Sequence, residues 1–219
     1  MLLLHGLGAT GGVWRDWDGV APDLPGHGTA PWDPPYSFTR HAEAVLPLLG
    51  DDPVTVVGHS MGGVVALALA ALAPGRVRRV VGLGIKVDWP AEDAARAAAL
   101  ADRPVATYDT RAEAADRFLK VSGLAGLVGP DDPVVDAGVV VEGSGWRLAQ
   151  DPRTFGVGVP DMAGLLAAAG CPVVLARGEH DPMVSHEQLA ALVDDPVTLP
   201  GLGHNAHVED PPAVLALAR

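Results

Sequence analysis

The chain has 219 residues, 48% of them apolar and 19% charged, which is ample for one packed domain and excludes a disordered chain. Fifteen Lys and Arg against 27 Asp and Glu leave a formal charge of −12. That balance argues against nucleic acid or an anionic membrane as partner, because phosphates are held by basic patches. One cysteine, Cys171, excludes an internal disulfide. The apolar stretch Val64 to Ala73 is too short to span a bilayer, and Met1–Leu4 is too short for a signal-peptide core. The expectation is a soluble, cytoplasmic protein.

The 27 glycines and 20 prolines are spread between short apolar runs, the pattern of repeated strand–helix transitions. In chain order, Leu2–Leu4 predicts a strand that runs into His5-Gly6-Leu7-Gly8. Ser37 is a plausible cap for a helix to Leu49, and Val54–Val57 predicts a second strand. Gly58-His59-Ser60-Met61-Gly62 follows, then an Ala/Leu-rich helix from Met61 to Ala73 that stops at Pro74-Gly75. Val77–Leu83 is a third strand. From Asp88 to Pro160 strand signals are weak, and helices are predicted over Ala91–Ala101 and Thr110–Val121, the second opened by a capping box. The alternation then resumes: helix Asp161–Ala169, strand Val173–Ala176, a helix opened by Ser185, and strand Val197–Leu199. Continuous apolar runs, with no alternation, predict parallel strands covered on both faces, hence an α/β sheet.

The sharpest chemical signal is the segment around Ser60. A G-x-S-x-G sequence between a strand and a helix is a nucleophile elbow, because glycines allow the tight turn that lifts the serine clear of the sheet. An ordinary glycine-rich turn is the bland alternative, but of five serines only Ser60 has this setting. A nucleophilic serine needs a base and the base an orienting acid. His204, in the loop after Val197–Leu199, is the favoured base, with His207 its local competitor. Asp181 follows strand Val173–Ala176 and is the favoured acid; Glu179 and Asp88 are alternatives. The amides of Leu7 and Met61 are placed to hold an oxyanion. His204-Asn205-Ala206-His207 lacks the companions of a metal site, so no metal is expected, and serine acyl transfer needs no organic cofactor.

The order Ser60, Asp181, His204 completes a resemblance to the capped α/β-hydrolases. It is carried by His5–Gly8 with Trp14, Asp23-Leu24-Pro25-Gly26-His27-Gly28, the elbow, Gly178-Glu179-His180-Asp181, and Gly203-His204 with Glu209-Asp210-Pro211. The resemblance implies a core over residues 1–87 and 161–219 and a cap over 88–160. It implies a mostly parallel sheet of about six strands with helices on both faces, lacking the first two of the family's usual eight. The edge so exposed calls for cover by a loop or a partner subunit, and the sequence leaves the oligomeric state open. His5 and His27 fall at positions that are mainly structural in the family. The implied chemistry is cleavage of a small-molecule ester or thioester through an acyl-enzyme. Pocket candidates are Trp14, Trp89, Phe118, Trp146 and Met183, with Phe155 and Met162 as further apolar side chains; Lys86 could meet a substrate carboxylate or solvent.

Three other readings stand beside this one. The motif at 203–211 is similar to that of the menaquinone-pathway synthase, a lyase, but Val64 stands where that family carries an arginine and His59 where it usually carries tyrosine. A carbon–carbon bond hydrolase is compatible with the same residues. A non-catalytic binding protein on the same scaffold is the third, opposed by competent residues at every triad position.

Overall fold

The computed structural model describes all 219 residues. Seven strands occur: β1 (Leu2–Leu4), β2 (Val54–His59), β3 (Val77–Leu83), β4 (Val139–Glu142), β5 (Gly145–Leu148), β6 (Val173–Gly178) and β7 (Val197–Leu199). Nine α-helices accompany them: α1 (Phe38–Val45), α2 (Met61–Leu72), α3 (Ala91–Ala101), α4 (Arg111–Val121), α5 (Pro133–Gly138), α6 (Met162–Ala168), α7 (His186–Ala190), α8 (Ala206–Glu209) and α9 (Pro211–Leu215).

Five strands form one parallel sheet in the order β1-β2-β3-β6-β7. Side chains alternate across it, as a pleat requires. Leu2, Leu4, Val56, Val80 and Leu175 point to a core shared with α1, α2, α6 and α7. Leu3, Val57, Val81, Ala176 and Leu199 point to the other core, shared with Trp14, α4, α5, α8 and α9. Both faces are covered, which is why the strands read as unbroken apolar runs. Helix α2 is buried from Met61 to Ala70, so it is apolar all round and carries no polar stripe.

The sheet has five strands where about six were expected. The sixth is reduced to one residue: Val20 pairs with β1, donating to Met1 O at 2.9 Å and accepting from Leu3 N at 2.9 Å. This short loop segment lies along the front edge of the sheet. The predicted helix from Ser37 to Leu49 gives way after Val45 to a 3₁₀ turn, Leu46–Leu48, with Pro47 in it. Ser37 caps the helix as expected, accepting from Arg40 N at 3.1 Å.

Residues 88–160 leave the sheet after β3 and return before β6. They hold α3, α4, α5 and a hairpin, β4–β5, that the sequence reading did not anticipate. The hairpin turns on Gly143 at φ +59°, which suits the two-residue connection. Its strands are only four residues long with little alternation, so the pattern was too brief to read. Phe118, Leu119, Val134 and Val135 of α4 and α5 enter the same core as β1, β2 and β3. No helix is long and apolar enough to cross a membrane.

Candidate active site

The carboxyl ends of β2, β3, β6 and β7 lie on one edge of the sheet, where open α/β sheets bind ligands. Ser60 follows β2 there. It is the one non-glycine residue with positive φ, at φ 49° and ψ −116°. Close packing enforces this turn. A Cβ on Gly58 would stand 2.2 Å from Gly62 O, and one on Gly62 would stand 2.3 Å from Leu4 O. Both ends of the elbow therefore have to be glycine. The Ser60 amide donates to Leu83 O at 2.7 Å, tying the elbow to the end of β3.

The next residue, Gly84, has φ +63°, and a Cβ there would meet Asp181 Oδ2 at 2.9 Å and His204 Nδ1 at 3.1 Å. Asp181 and His204 thus lie over the strand end that holds Ser60. His204 Nδ1 donates to Asp181 Oδ1 at 3.0 Å, which leaves Nε2 as the free imidazole nitrogen. The Asp181 carboxylate is fully buried, and Met183 N donates to the same oxygen at 2.8 Å. Its other oxygen, Oδ2, has no protein partner.

The competing residues are engaged elsewhere. Glu179 accepts from Gly201 N at 2.7 Å, and Asp88 accepts from Gln188 at 3.3 Å. His207 is buried between Trp14 and His59, with ring centroids 4.3 Å and 4.4 Å away. Neither of its nitrogens has a partner, and burial pushes its imidazole down to about 3.

His59 adds a link that the sequence did not reveal. Its Nε2 donates to His204 O at 3.0 Å, joining the elbow to the histidine loop. Burial, with His207 and His204 nearby, holds this ring well below the ordinary histidine range. The elbow pattern leaves the residue before the serine free, so no motif pointed to it. His5 is structural: Nε2 accepts from Leu24 N at 2.9 Å and Nδ1 donates to Gly6 O at 2.8 Å.

A cavity of about 160 Å³ opens beside Ser60. Its walls include Leu7, Phe38, Met61, Val64, Ile85, Trp89, Phe155, Val157 and Met183. Of the pocket residues expected from sequence, Trp89 and Met183 line it; Trp14, Phe118 and Trp146 do not. Trp14 and Phe118 are each 1% exposed, in the core beneath the sheet. Trp146 stays on the hairpin, where its backbone pairs with Tyr108 in both directions. Met162 is also core. Large aromatic side chains fill either role, and sequence cannot separate the two. Phe38, Ile85 and Val157 reach the cavity from three different elements, which no local pattern shows.

Both oxyanion candidates, Leu7 and Met61, border the cavity. Met61 is the first residue of α2, so its N–H has no intrahelical partner. Leu7 lies in the turn after β1 and lines the same cavity. Lys86 also lines it, but its ammonium is held by Asp93 at 2.5 Å and sits 5.2 Å over the Trp89 ring.

The sequence profile of the alpha/beta hydrolase family matches residues 1–218. The chain belongs to the alpha/beta hydrolase family. It is 37% identical over 147 residues to lipase LipV of Mycobacterium tuberculosis, a match covering 63% of this chain and 54% of the lipase. A pimeloyl-(acyl-carrier protein) methyl ester esterase of Methylococcus capsulatus is 30% identical over 236 aligned positions, 93% of this chain and 89% of the esterase. The chain matches only 27% of the length of a Neisseria meningitidis esterase of the same name, at 43% identity over 84 residues. Among solved structures, an esterase of M. tuberculosis superposes with a TM-score of 0.79 at 24% identity, covering 100% of this chain and 83% of that one. E-2-(acetamidomethylene)succinate hydrolase gives 0.79 at 22%, covering 99% and 89%. These two likenesses are likenesses of fold.

Proposed function

We propose that this family member is a serine hydrolase of small-molecule carboxylic esters or thioesters, working through Ser60, His204 and Asp181. The observation that carries the reading is the strained Ser60 turn, its amide held by Leu83, beside the buried Asp181–His204 pair over Gly84. Strain confined to one residue at a site edge is a mark of function. The lipase and esterase names of its relatives support the same reading.

In this mechanism His204 Nε2 takes the proton of Ser60 Oγ as the hydroxyl attacks the carbonyl carbon. Asp181 holds the imidazole in the tautomer that leaves Nε2 free, and its charge stabilises the imidazolium that forms. The N–H groups of Leu7 and Met61 take the negative oxygen of the tetrahedral intermediate. His204 returns the proton to the leaving alcohol or thiol. It then deprotonates water, which releases the acid from Ser60. No cofactor enters these steps.

Residues 88–160 serve as the cap, supplying Trp89, Phe155, Val157 and Pro160 to the cavity wall. At about 160 Å³ the cavity is below the roughly 300–1,000 Å³ of a drug-sized site, so it suits a short apolar group. Val64 in that wall opposes the lyase alternative, which asks for a cationic partner to a substrate carboxylate at this point.

A fluorophosphonate probe tests the reading. Folded protein labels covalently at Ser60, and Ser60→Ala does not. Absence of labelling in folded protein removes Ser60 as nucleophile. A panel of p-nitrophenyl esters, acyl thioesters and vinylogous diketones then separates ester, thioester and carbon–carbon cleavage.

A further inference from the structure

We propose that a second cavity, across Phe155 from Ser60, binds an anionic group, a carboxylate or a phosphate, carried by the substrate on the arm remote from its scissile bond. This rests on the serine-hydrolase reading. The cavity measures about 330 Å³, roughly twice the one beside Ser60. It lies between the end of α3, the connection 103–108, α4 and the turn 150–155.

Two contacts join it to the site. Phe155 borders both cavities. Val121, in its wall, packs on the oxyanion turn, with Cγ1 2.5 Å from where a Cβ of Gly8 would stand. Phe155 is thus the shared wall past which a substrate held at Ser60 would have to extend.

Its charge is the opposite of the chain's. The protein carries 27 acids, yet none of the 12 residues lining this cavity is acidic, and two are arginines, Arg103 and Arg117. Arg76, Arg78 and Arg177 bond carbonyl or hydroxyl oxygens, and Arg15, Arg40, Arg96, Arg111, Arg147 and Arg153 each meet a carboxylate. Arg103 and Arg117 meet none. Gln150, only 6% exposed, also lines it and donates through Nε2 to Thr154 at 3.0 Å. Neither guanidinium is spent on a carboxylate, and a guanidinium offers a planar fork that matches a carboxylate or phosphate. Leu100, Val105, Leu148 and Pro152 supply an apolar wall for the chain that leads to the anion. The combination selects an amphiphilic substrate with one negative end.

The test compares p-nitrophenyl esters of three acids of equal length, ending in a carboxylate, a phosphate or a methyl group. The parent enzyme favours one or both anionic esters over the neutral ester in kcat/KM. Arg103→Gln with Arg117→Gln, both exposed and outside the triad, removes that preference by about tenfold or more and leaves the neutral ester within about twofold. Which anion is preferred identifies the head group. Equal rates for all three esters in the parent, or an unchanged preference in the double variant, overturn the proposal. Calorimetry on Ser60→Ala with the free ω-carboxy and ω-phosphoryl acids reads binding without turnover. Saturable binding lost in the arginine variant supports the cavity even if no ester is cleaved, and then only the hydrolase reading falls. No binding of either acid, in a protein that cleaves the neutral ester, overturns the cavity alone.

Discussion

Lowering the pH from 7.5 to 5 should destabilise this protein severely, because five of its eight histidines are buried and held neutral. His5, His27, His41, His59 and His207 are each 0–3% exposed, and burial is the largest cause of a lowered pKa for all five. His41 is pushed down to about 4 and His207 to about 3. Neither ring nitrogen of either residue has a hydrogen-bond partner. In the unfolded chain both titrate near the ordinary value of about 6.5. Below that pH the unfolded state binds protons that the folded state refuses. The stability contributed by neutral burial is whole above about pH 6.5 and is lost as pH falls towards the folded values. At pH 5 each of these two histidines forfeits about 2 kcal/mol, so the pair forfeits about 4 kcal/mol. The other three act in the same direction. A domain of this size has about 5–15 kcal/mol in total, so unfolding near pH 5 is expected. Urea denaturation at pH 7.5, 6.5, 5.8 and 5.0 measures the loss. His41→Leu, which removes one titrating ring stacked on Tyr36, should flatten the slope by about one proton. An unfolding free energy that stays constant between pH 7.5 and 5 would refute the reasoning, because neutral burial and constant stability cannot both hold.

Three further outcomes follow from the site. Ser60→Gly should abolish esterase turnover and raise stability by about 1 kcal/mol in chemical denaturation, since φ +49° costs a non-glycine residue about 1–3 kcal/mol and glycine's added chain entropy returns only part of that; Ser60→Ala, which keeps the strain, should show no such gain. Gly84→Ala should lower kcat by about tenfold or more with a modest fall in Tm, because its Cβ would press on both Asp181 Oδ2 and His204 Nδ1; an unchanged kcat would mean that the pair is not held at that strand end. Asp181→Asn should lower kcat by about 10³–10⁴ while labelling of Ser60 slows in proportion, as expected when the histidine loses its orienting carboxylate; a loss below tenfold would assign the orienting role to another acid.

The sequence by itself determined the fold class and family, because both are written in short contiguous segments. Short β-branched apolar runs bounded by glycine and proline read as strands buried on two faces, and the elbow is a five-residue pattern whose glycines are dictated by contacts as local as Gly58 with Gly62. The placement of Ser60, Asp181 and His204 on one edge was legible for the same reason: each follows a strand end, and strand ends of one parallel sheet share an edge. Tertiary structure alone decided what lies between elements. It sent Trp14 and Phe118 into the core and brought Phe38, Ile85 and Phe155 to the cavity, a choice set by which face of each element meets a neighbour. It shrank the sixth strand to Val20 and raised a hairpin where the pattern was too short to read. It linked His59 to the His204 loop across 145 residues of chain, and gathered Arg103 and Arg117 without a carboxylate between them. Pairings of that kind depend on the distance between elements after packing, which spacing along the chain does not encode.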